Sequence, residues 1–426
     1  MRYNDSPFQL SVTRMSFFRP VALALAVTCI ALPAAAETPK WIPAWYAAPE
    51  PDYADAKLTD MTLRQIVRVS AGGTSVRIRL SNAYGKTPLK LDEVRVARRD
   101  TGSRIDTASD RAVTFNGFGE VMIAPGAYAV SDPIDLDVAD NSDLAVSLYA
   151  SGTVPLTTLH DIQRAVMFTA KGRQTSAADI PGPAADIGIG ASFPWLAGVD
   201  VSNSKSRAAV IAFGDSITDG FGIAQDQGAT WPDVLSRRLD DAGIPLSVVN
   251  AAISGNRIWH HGNWSRFGEA ALARFDRDVL AQPNAAAVIV LIGINDLGHA
   301  AGPGHDQYVS AQDIMAGLSQ MADRAHSKGL RIYVATLTPF KDTVFKDYYS
   351  DAKETERLAV NAWIRQQTVF DGVFDFDKAV EDPSRPGYLL PDFDVSDHLH
   401  PDTEGGAAMA KAIPLDSFKW AKKLKR

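Results

Sequence analysis

The sequence of 426 residues contains one cysteine, Cys29, so a disulfide scaffold is excluded. It has no run of like charges: 43 Lys and Arg residues stand against 50 Asp and Glu residues, a formal net charge of −7. A chain without a basic arm or patch is not expected to bind nucleic acid. Its apolar runs fall short of the roughly 20 residues that span a bilayer, so stable membrane insertion is not expected either.

The first 36 residues have the pattern of a signal peptide. Two arginines precede the apolar stretch Val21–Leu32, and the small residues Ala34–Ala36 follow it, as a signal peptidase requires. We therefore expect export and removal of residues 1–36, which leaves a periplasmic or extracellular protein. A membrane anchor is the alternative for this segment. The pattern works equally well from Met1 or Met15, so the true start stays open.

Residues 37–200 are predicted to form a β-rich, sandwich-like module. Apolar and charged residues alternate in Val76–Leu80, as in a strand with one buried face. Turn signals such as Asn116-Gly117 separate similar short stretches, a spacing typical of sandwiches and barrels. These stretches are Leu63–Ser70, Leu89–Arg98, Ala112–Phe115, Glu120–Ile123 and Leu144–Tyr149. The segment from Ser176 to Ser206 is expected to be an irregular connector.

Residues 207–426 are predicted to form a three-layer α/β domain, because continuous apolar runs alternate with helical patterns. Such runs indicate strands buried on both faces, as in a parallel sheet covered by helices. The predicted strands are Ala208–Phe213, Leu246–Val249, Ala286–Ile292, Arg331–Leu337 and Val373–Phe376. The predicted helices are Trp231–Ala242, Glu269–Ala281, Ser310–Ser327 and Glu354–Thr368, with one more at the C-terminus. A ligand site is expected at the carboxyl ends of these strands.

The residues that follow the first strand include a candidate nucleophile, Ser216, within Gly214-Asp215-Ser216. A tight turn there exposes the hydroxyl, and the backbone N–H of Ser216 at the helix start faces any negative charge that develops. An N-cap serine is the alternative for this motif alone. The chain has no Gly-x-Ser-x-Gly elbow after this strand, which counts against an α/β-hydrolase arrangement.

Two candidate hydrogen-bond donors follow the next two strands. Gly255 permits close approach of the backbone, so its N–H is a candidate donor to an oxyanion. Asn295, in Gly293-Ile294-Asn295-Asp296, offers a side-chain amide. Each of these is also an ordinary turn residue when taken alone.

The last candidate group lies after the fifth strand, in Asp397-His398-Leu399-His400. Serine needs a base to act as a nucleophile near neutral pH, and a carboxylate on the second nitrogen of a histidine orients that base. The spacing of Asp397 and His400 favours this pair over His398. With Asp394, the same residues are also a candidate metal site, but no further set of spaced histidines supports it. We therefore expect no metal and no cofactor.

The other histidines have no partner pattern in the sequence. Of these, His260 and His261 follow the Gly255 turn and are candidates for lining the substrate cleft. The rest, including His160 and His299, are expected at the surface or in loops.

Taken together, these blocks resemble those of the SGNH (GDSL-type) hydrolases, in which a Ser, a Gly, an Asn and a His come in this order. The resemblance covers residues 207–415 and implies a flavodoxin-like sheet of order 2-1-3-4-5. It implies that Ser216 is the nucleophile, His400 the base and Asp397 its partner. The Ser216 and Gly255 N–H groups and the Asn295 side chain would form the oxyanion hole. Ile217 replaces the leucine of the usual Gly-Asp-Ser-Leu block, a change that keeps volume and polarity.

The whole chain looks like the larger secreted bacterial members of this family, which carry an N-terminal β module. We therefore expect an exported serine esterase that acts on short-chain, acetyl-type esters, borne by a small molecule or by a polymer such as acetylated carbohydrate. A lysophospholipase or thioesterase is one alternative. A non-catalytic glycan-binding protein is the other. The sequence leaves the oligomeric state and the role of the β module open.

Overall fold

The computed structural model of this protein describes residues 40–52, 56–161, 164–183, 192–202, 204–262, 267–300 and 302–424. The predicted signal peptide, residues 1–36, lies outside the described residues, so it stays a prediction. Residues Pro39–Arg426 form one compact unit. None of the helices in the described ranges has both the length and the apolar character needed to cross a bilayer.

The N-terminal part of this unit consists mainly of antiparallel strands, as predicted for a β-rich module. Its strands are β1 (Ile42–Tyr46), β2 (Glu50–Pro51), β3 (Lys57–Val69), β4 (Gly73–Ser81), β5 (Leu89–Leu91), β6 (Glu93–Arg98), β7 (Arg111–Val113), β8 (Val121–Ile123), β9 (Tyr128–Val130), β10 (Ile134–Val138), β11 (Ser142–Pro155), β12 (Thr158–His160), β13 (Met167–Lys171), β14 (Gly182–Pro183), β15 (Phe193–Pro194) and β16 (Leu196–Ser202). A short 3₁₀ helix covers Thr107–Ser109.

Two larger sheets form the core of this β-rich part. One has the order β1-β16-β4-β10, with β9 also paired to β4, and the other has the order β14-β13-β3-β11-β6-β7. Val76 and Ile78 of the first sheet share one buried apolar cluster with Val94 and Val146 of the second. The alternating apolar residues of both sheets thus face each other, which is the packing of a sandwich. Strands β15-β12-β2 and β5-β8 form two small sheets beside them.

The prediction of an irregular connector from Ser176 to Ser206 is wrong in part. Strands β14, β15 and β16 lie in this segment, and β16 pairs with both β1 and β4 inside the first sheet. All seven residues of β16 are buried, and only its last four, Val199–Ser202, alternate apolar and polar residues, which is too short a signal to mark the strand. Its pairing partners are distant in sequence, which is why local patterns missed it.

The C-terminal part has a parallel sheet of order β18-β17-β19-β20-β21 with helices packed around it, so the predicted 2-1-3-4-5 order is confirmed. Its strands are β17 (Ala208–Gly214), β18 (Leu246–Asn250), β19 (Ala285–Leu291), β20 (Arg331–Ala335) and β21 (Gly372–Phe374). Its helices are α1 (Ser216–Asp219), α2 (Trp231–Asp241), α3 (Ala271–Phe275), α4 (Ile294–Gly298), α5 (Ala311–Ser327), α6 (Asp351–Gln366), α7 (Phe376–Val380) and α8 (Thr403–Ala412). Short 3₁₀ segments cover Pro391–Phe393 and Leu415–Lys423.

Most of the helices begin where the sequence supplies a capping side chain, the exceptions among the described helices being α3 and α4. Thr230 and Asp233 form a capping box at the start of α2, and Ser310 and Asp313 form another at the start of α5. The apolar face of α5 is buried against the sheet. The predicted helix Glu269–Ala281 is shorter than expected: α3 passes at Phe275 into one π-helical turn, Asp276–Leu280.

Candidate active site

Ser216 lies just past the carboxyl end of β17, which pairs with β18 and β19 in the parallel sheet. It is the first residue of α1, and the side chain of Asp215 caps this short helix by accepting from the Ile217 N–H at 3.1 Å. The strand places Ser216 at the carboxyl edge of the sheet, and the Asp215 cap fixes the turn that contains this serine. Ser216 is buried, with 6% of its surface exposed.

His400 and Asp397 come to Ser216 from the loop before α8. The Ser216 hydroxyl lies 2.8 Å from His400 Nε2, and His400 Nδ1 lies 2.6 Å from Asp397 Oδ2. The second carboxylate oxygen of Asp397 accepts from the backbone N–H groups of Leu399 and His400, at 2.9 and 2.8 Å. The structure thus brings the three residues into a hydrogen-bonded chain in the order Ser–His–Asp.

The electrostatics of Asp397 suit the role of a carboxylate partner. Its partial burial would raise the pKa of this carboxyl, but the hydrogen bonds from His400 and from the backbone outweigh burial and lower the pKa. Asp397 is therefore ionised at neutral pH. An ionised partner fixes the His400 tautomer with its proton on Nδ1 and leaves Nε2 to accept from Ser216.

His398, the alternative base in the sequence, points to a different partner. It adopts the left-handed backbone conformation, with φ of 60°, and its Nδ1 bonds to Asp394. Its side chain is 48% exposed, whereas that of His400 is 6% exposed. Among the described residues, no group of three or more His, Cys, Asp or Glu side chains is arranged to hold a metal ion.

Gly255 and Asn295 lie on the other side of the serine. Gly255 has φ of 74°, and a Cβ at this position would lie 2.1 Å from the ring of Phe267, so only glycine fits. The Asn295 amide nitrogen donates to the Asn256 carbonyl at 3.2 Å, which places it beside the Gly255 segment. Both predicted donors therefore lie at the strand ends next to Ser216.

Tyr348, which sequence reasoning missed, orients the Asn295 side chain. Its hydroxyl donates to Asn295 Oδ1 at 2.8 Å, so the amide nitrogen of Asn295 turns toward the site. Burial raises the pKa of Tyr348 well above its usual value, and nearby carboxylates such as Asp215 add to this, so the hydroxyl keeps its proton. Gly298 makes room for the ring, because a Cβ there would lie 2.0 Å from it. No motif in the sequence marks Tyr348.

Arg274 of α3 is a second buried residue that sequence reasoning missed. Its guanidinium donates to the carbonyls of Gly214 and Ala251, at 2.9 and 2.6 Å, and to Asn256 Oδ1 at 2.9 Å. Gly214 ends β17 and lies two residues before Ser216, Ala251 directly follows β18, and Asn256 directly follows Gly255. Arg274 thus links the turn at Ser216 to the segment that contains Gly255.

A cleft of about 510 Å³ opens in front of the serine and histidine. Its walls are largely aromatic: the Phe221 and Phe345 rings lie 4.4 and 6.0 Å from the His400 ring, measured between centroids. Phe267, His299 and Tyr348 form a second wall with successive ring distances of 5.5 and 5.3 Å. A cleft of this size accommodates a small-molecule substrate or part of a larger one.

The structure places four other histidines for which the sequence analysis gave expectations. His299 lies exposed in the turn after α4, as expected, and it also lines the cleft. His160 is buried in β12 against Asp219, so the expectation that it lies at the surface or in a loop is wrong. His260 and His261, the sequence candidates for lining the cleft, are not among the lining residues of this cleft. The N-terminal strands bring His160 into place, and local sequence around it contains no sign of this.

Residues 212–408 match the family model of the GDSL-like lipases and acylhydrolases. This match contains every block described above, from Ser216 to His400. This part of the chain, slightly less than half of its length, is therefore similar to the GDSL-like lipases and acylhydrolases.

Individual relatives of the family cover only part of the chain. Esterase TesA of Pseudomonas aeruginosa is 28% identical over 137 residues, which are 32% of this chain and 58% of that protein. The chain thus spans less than two thirds of the length of this curated relative. A solved GDSL-like lipase from Bacteroides thetaiotaomicron is 19% identical and covers 50% of this chain and 89% of its own, with a TM-score of 0.38. An acetyl xylan esterase from Geobacillus stearothermophilus is 22% identical, with coverage of 50% and 95% and a TM-score of 0.38.

Proposed function

We propose that this protein is a serine ester hydrolase whose nucleophile is Ser216. The observation that carries the proposal is the hydrogen-bonded chain from Ser216 through His400 to Asp397, at 2.8 and 2.6 Å. Such a chain lets a neutral imidazole take the hydroxyl proton while a carboxylate stabilises the imidazolium that results. The match of residues 212–408 to the family model of the GDSL-like lipases and acylhydrolases supports the same chemistry.

The proposed reaction has two halves. The Ser216 oxygen attacks the ester carbonyl while its proton passes to His400 Nε2, and the negative charge on the carbonyl oxygen faces the donors of Ser216, Gly255 and Asn295. The intermediate collapses to an acyl-serine, and His400 returns the proton to the departing alkoxide. Water then attacks the acyl-serine while His400 accepts a proton from it. The bond between the acyl carbon and the Ser216 oxygen breaks, His400 returns the proton to that oxygen, and the acid leaves.

The acyl group is proposed to be short, as in acetate. The wall of Phe267, His299 and Tyr348 bounds the cleft that also contains Gly255 and Asn295, and a short acyl group fits against this wall. The leaving alcohol lies on the side of His400, which must protonate it. There Phe221 and Phe345 offer ring faces, and Phe345 is 40% exposed. Aromatic faces of this kind pack well against a sugar ring, so we propose an acetylated carbohydrate as the natural substrate class.

The location of this activity is proposed to be outside the cytoplasm. The support is the sequence of residues 1–36, with its arginines, apolar stretch and small residues before the cleavage position. Fractionation of cells that express the full chain, with N-terminal sequencing of the product, tests this. Recovery of the uncleaved chain in the cytoplasm would overturn it.

The decisive experiment measures hydrolysis of p-nitrophenyl esters of increasing chain length by residues 37–426 and by Ser216→Ala. We expect the wild type to prefer the acetyl ester and the variant to lose at least about 10³-fold in kcat. EDTA should leave the rate unchanged. A preference for long acyl chains would favour the lipid-hydrolase alternative, and activity that survives Ser216→Ala would overturn the proposed mechanism.

A further inference from the structure

A buried histidine of the β-rich part contacts the short helix that begins at the nucleophile. His160, the last residue of β12, is 3% exposed, and its Nε2 lies 3.1 Å from Asp219 Oδ1. Asp219 is the last residue of α1, and Ser216 is the first. The side chain of His160 therefore reaches from one sheet system to the catalytic turn of the other.

The second oxygen of Asp219 holds the segment of the oxyanion donors. Asp219 Oδ2 accepts from the backbone N–H of Ser254 at 3.0 Å and from its hydroxyl at 2.6 Å. Ser254 directly precedes Gly255, whose N–H is a proposed oxyanion donor. One carboxylate thus joins the nucleophile helix, the donor segment and His160.

His160 is itself fixed from the β-rich side. Its Nδ1 lies 2.8 Å from the Ala48 carbonyl and 3.2 Å from Glu50 Oε1. A carbonyl oxygen only accepts, so Nδ1 carries a hydrogen, and Nε2 faces the Asp219 carboxylate. Burial would lower the pKa of His160, but Asp219 and Glu50 outweigh it and raise this pKa to about 9. His160 is therefore a buried cation with a donor directed to each side.

We propose that His160 is a positioning residue of the active site, which acts through Asp219 to hold the Ser254–Gly255 segment in place for oxyanion binding. This inference rests on the proposed ester hydrolase function. It gives the β-rich part a role in turnover itself, because a residue outside the α/β part completes the bonding of the donor segment.

The consequence is a loss of kcat with little change in KM. The Gly255 donor interacts most strongly with the charge that develops in the transition state, so its displacement weakens that state more than the bound substrate. Displacements near 1 Å at a catalytic group cost up to about 10²-fold in rate. We therefore expect a loss of about 10–100-fold in kcat when the donor to Asp219 is removed.

The test compares His160→Asn with His160→Gln in the chain from residue 37 to 426. The shorter Asn side chain places its amide nitrogen near the position of Nδ1 and leaves Asp219 without its donor. Gln reaches the position of Nε2 and restores one donor to Asp219. We expect His160→Asn to lose kcat for p-nitrophenyl acetate with KM within about threefold of wild type, and His160→Gln to recover most of this loss.

Two controls separate positioning from stability. His326→Asn removes a His–Asp bond of 2.9 Å at Asp371, remote from the catalytic residues, and should leave kcat unchanged. Val146→Ala weakens the buried core of the β-rich part without touching His160, and should lower Tm but not kcat. Equal kcat losses in both His160 variants and in Val146→Ala would reduce His160 to a structural role and overturn the inference.

Amide hydrogen exchange at Ser254–Gly255 provides a readout that does not depend on turnover. We expect faster exchange there in His160→Asn than in wild type or His326→Asn, and unchanged exchange would overturn the inference. If wild type hydrolyses no ester, the proposed function fails, and the exchange result still decides whether His160 orders this segment. If wild type is active and Ser216→Ala is inactive, while His160→Asn keeps the wild-type kcat, only the positioning role fails.

Discussion

Asn295 has two ends to its side-chain amide, and only the nitrogen end donates to an oxyanion. Tyr348 fixes the orientation of this amide, because its hydroxyl donates to the oxygen end at 2.8 Å. The Asn256 carbonyl accepts from the nitrogen end at 3.2 Å and reinforces the same orientation. Tyr348, which belongs to no sequence motif, thus sets the orientation of Asn295, which does.

Replacement of Tyr348 by Phe should lower kcat by about tenfold, because the loss of one hydrogen bond costs about 1.4 kcal/mol. The ring stays, so the cleft wall and KM should change little. Tyr349→Phe is the matched control, since that hydroxyl bonds to Asp351 at the surface. Kinetics with p-nitrophenyl acetate measure both variants. Equal rates for the two would show that Tyr348 does not orient the amide.

Asp215 carries a buried carboxyl whose pKa is raised to about 7, first by burial and then by the charges of Asp296 and Asp219. The unfolded chain ionises this group near its ordinary value, so between about pH 4 and 7 the folded state binds more protons than the unfolded state. This contribution therefore lowers stability as pH rises through that window.

Asp215→Asn should remove this pH-dependent loss of stability and keep a side-chain oxygen that accepts from the Ile217 N–H. We expect the variant to gain stability relative to wild type at pH 8, on the order of 2 kcal/mol, and to show no such gain at pH 4. Urea unfolding at the two pH values checks this. A gain of the same size at both pH values would contradict the assignment to ionisation of Asp215.

At the scale of elements, α3 acts on the active site through one side chain. Arg274 is fully buried, and its guanidinium bonds to groups at or just past the ends of β17 and β18 and to Asn256. Its charge is matched by Asp278 at 3.1 Å, one helical turn away. The centroid of the Phe213 ring lies 4.1 Å from the guanidinium carbon and adds a cation–π contact.

Arg274→Lys should keep the charge but lose this geometry, because an ammonium group cannot reach all three acceptors. We expect a loss of roughly 2–4 kcal/mol in the free energy of unfolding, since buried carbonyls are left unpaired. A fall in kcat should accompany it. Arg324→Lys, which contacts the same helix from the surface, is the control and should cost under about 1 kcal/mol. Chemical denaturation compares the two, and equal losses would contradict this role.

At the scale of the whole molecule, the β-rich and α/β parts share their interior. Tyr46 and Ala48 of the N-terminal part belong to the same apolar cluster as the parallel sheet. The Tyr46 hydroxyl donates to Asp278 at 2.8 Å, and Asp278 also binds Arg274. The first strand is therefore part of the network that supports the catalytic turn.

Because Pro39–Arg426 is one unit, we expect calorimetry to show a single unfolding transition. Tyr46→Phe should shift that whole transition to lower temperature, since it removes one of the two donors to Oδ1 of the buried Asp278, the other being Arg277 Nε, at a cost of about 1–3 kcal/mol. Tyr128→Phe, at a side chain that is 70% exposed, should leave Tm unchanged. Two separate transitions, only one of them moved by Tyr46→Phe, would contradict a shared interior.

Local patterns in the sequence were sufficient to predict the parallel sheet and the candidate site residues at its edge. Strands buried on both faces read as continuous apolar runs, so the parallel sheet and its order followed from their alternation with helices and from the family resemblance. The rule that ligands bind at the carboxyl ends of such strands then led to Ser216, Gly255, Asn295 and His400. Ser216, Gly255 and Asn295 each lie within a few positions of the preceding strand, whereas His400 lies in the loop before α8, well past β21.

The residues that hold those groups in place by hydrogen bonds became known from the tertiary structure alone. Tyr348, Arg274 and His160 reach the site from segments that are far from their partners in sequence, and burial of their polar atoms depends on packing that no local pattern contains. Strand β16 was missed for the same reason, since its partners β1 and β4 lie more than 100 residues away in the chain. Periodicity encodes the elements, whereas long-range contacts between elements set the orientation of the catalytic groups.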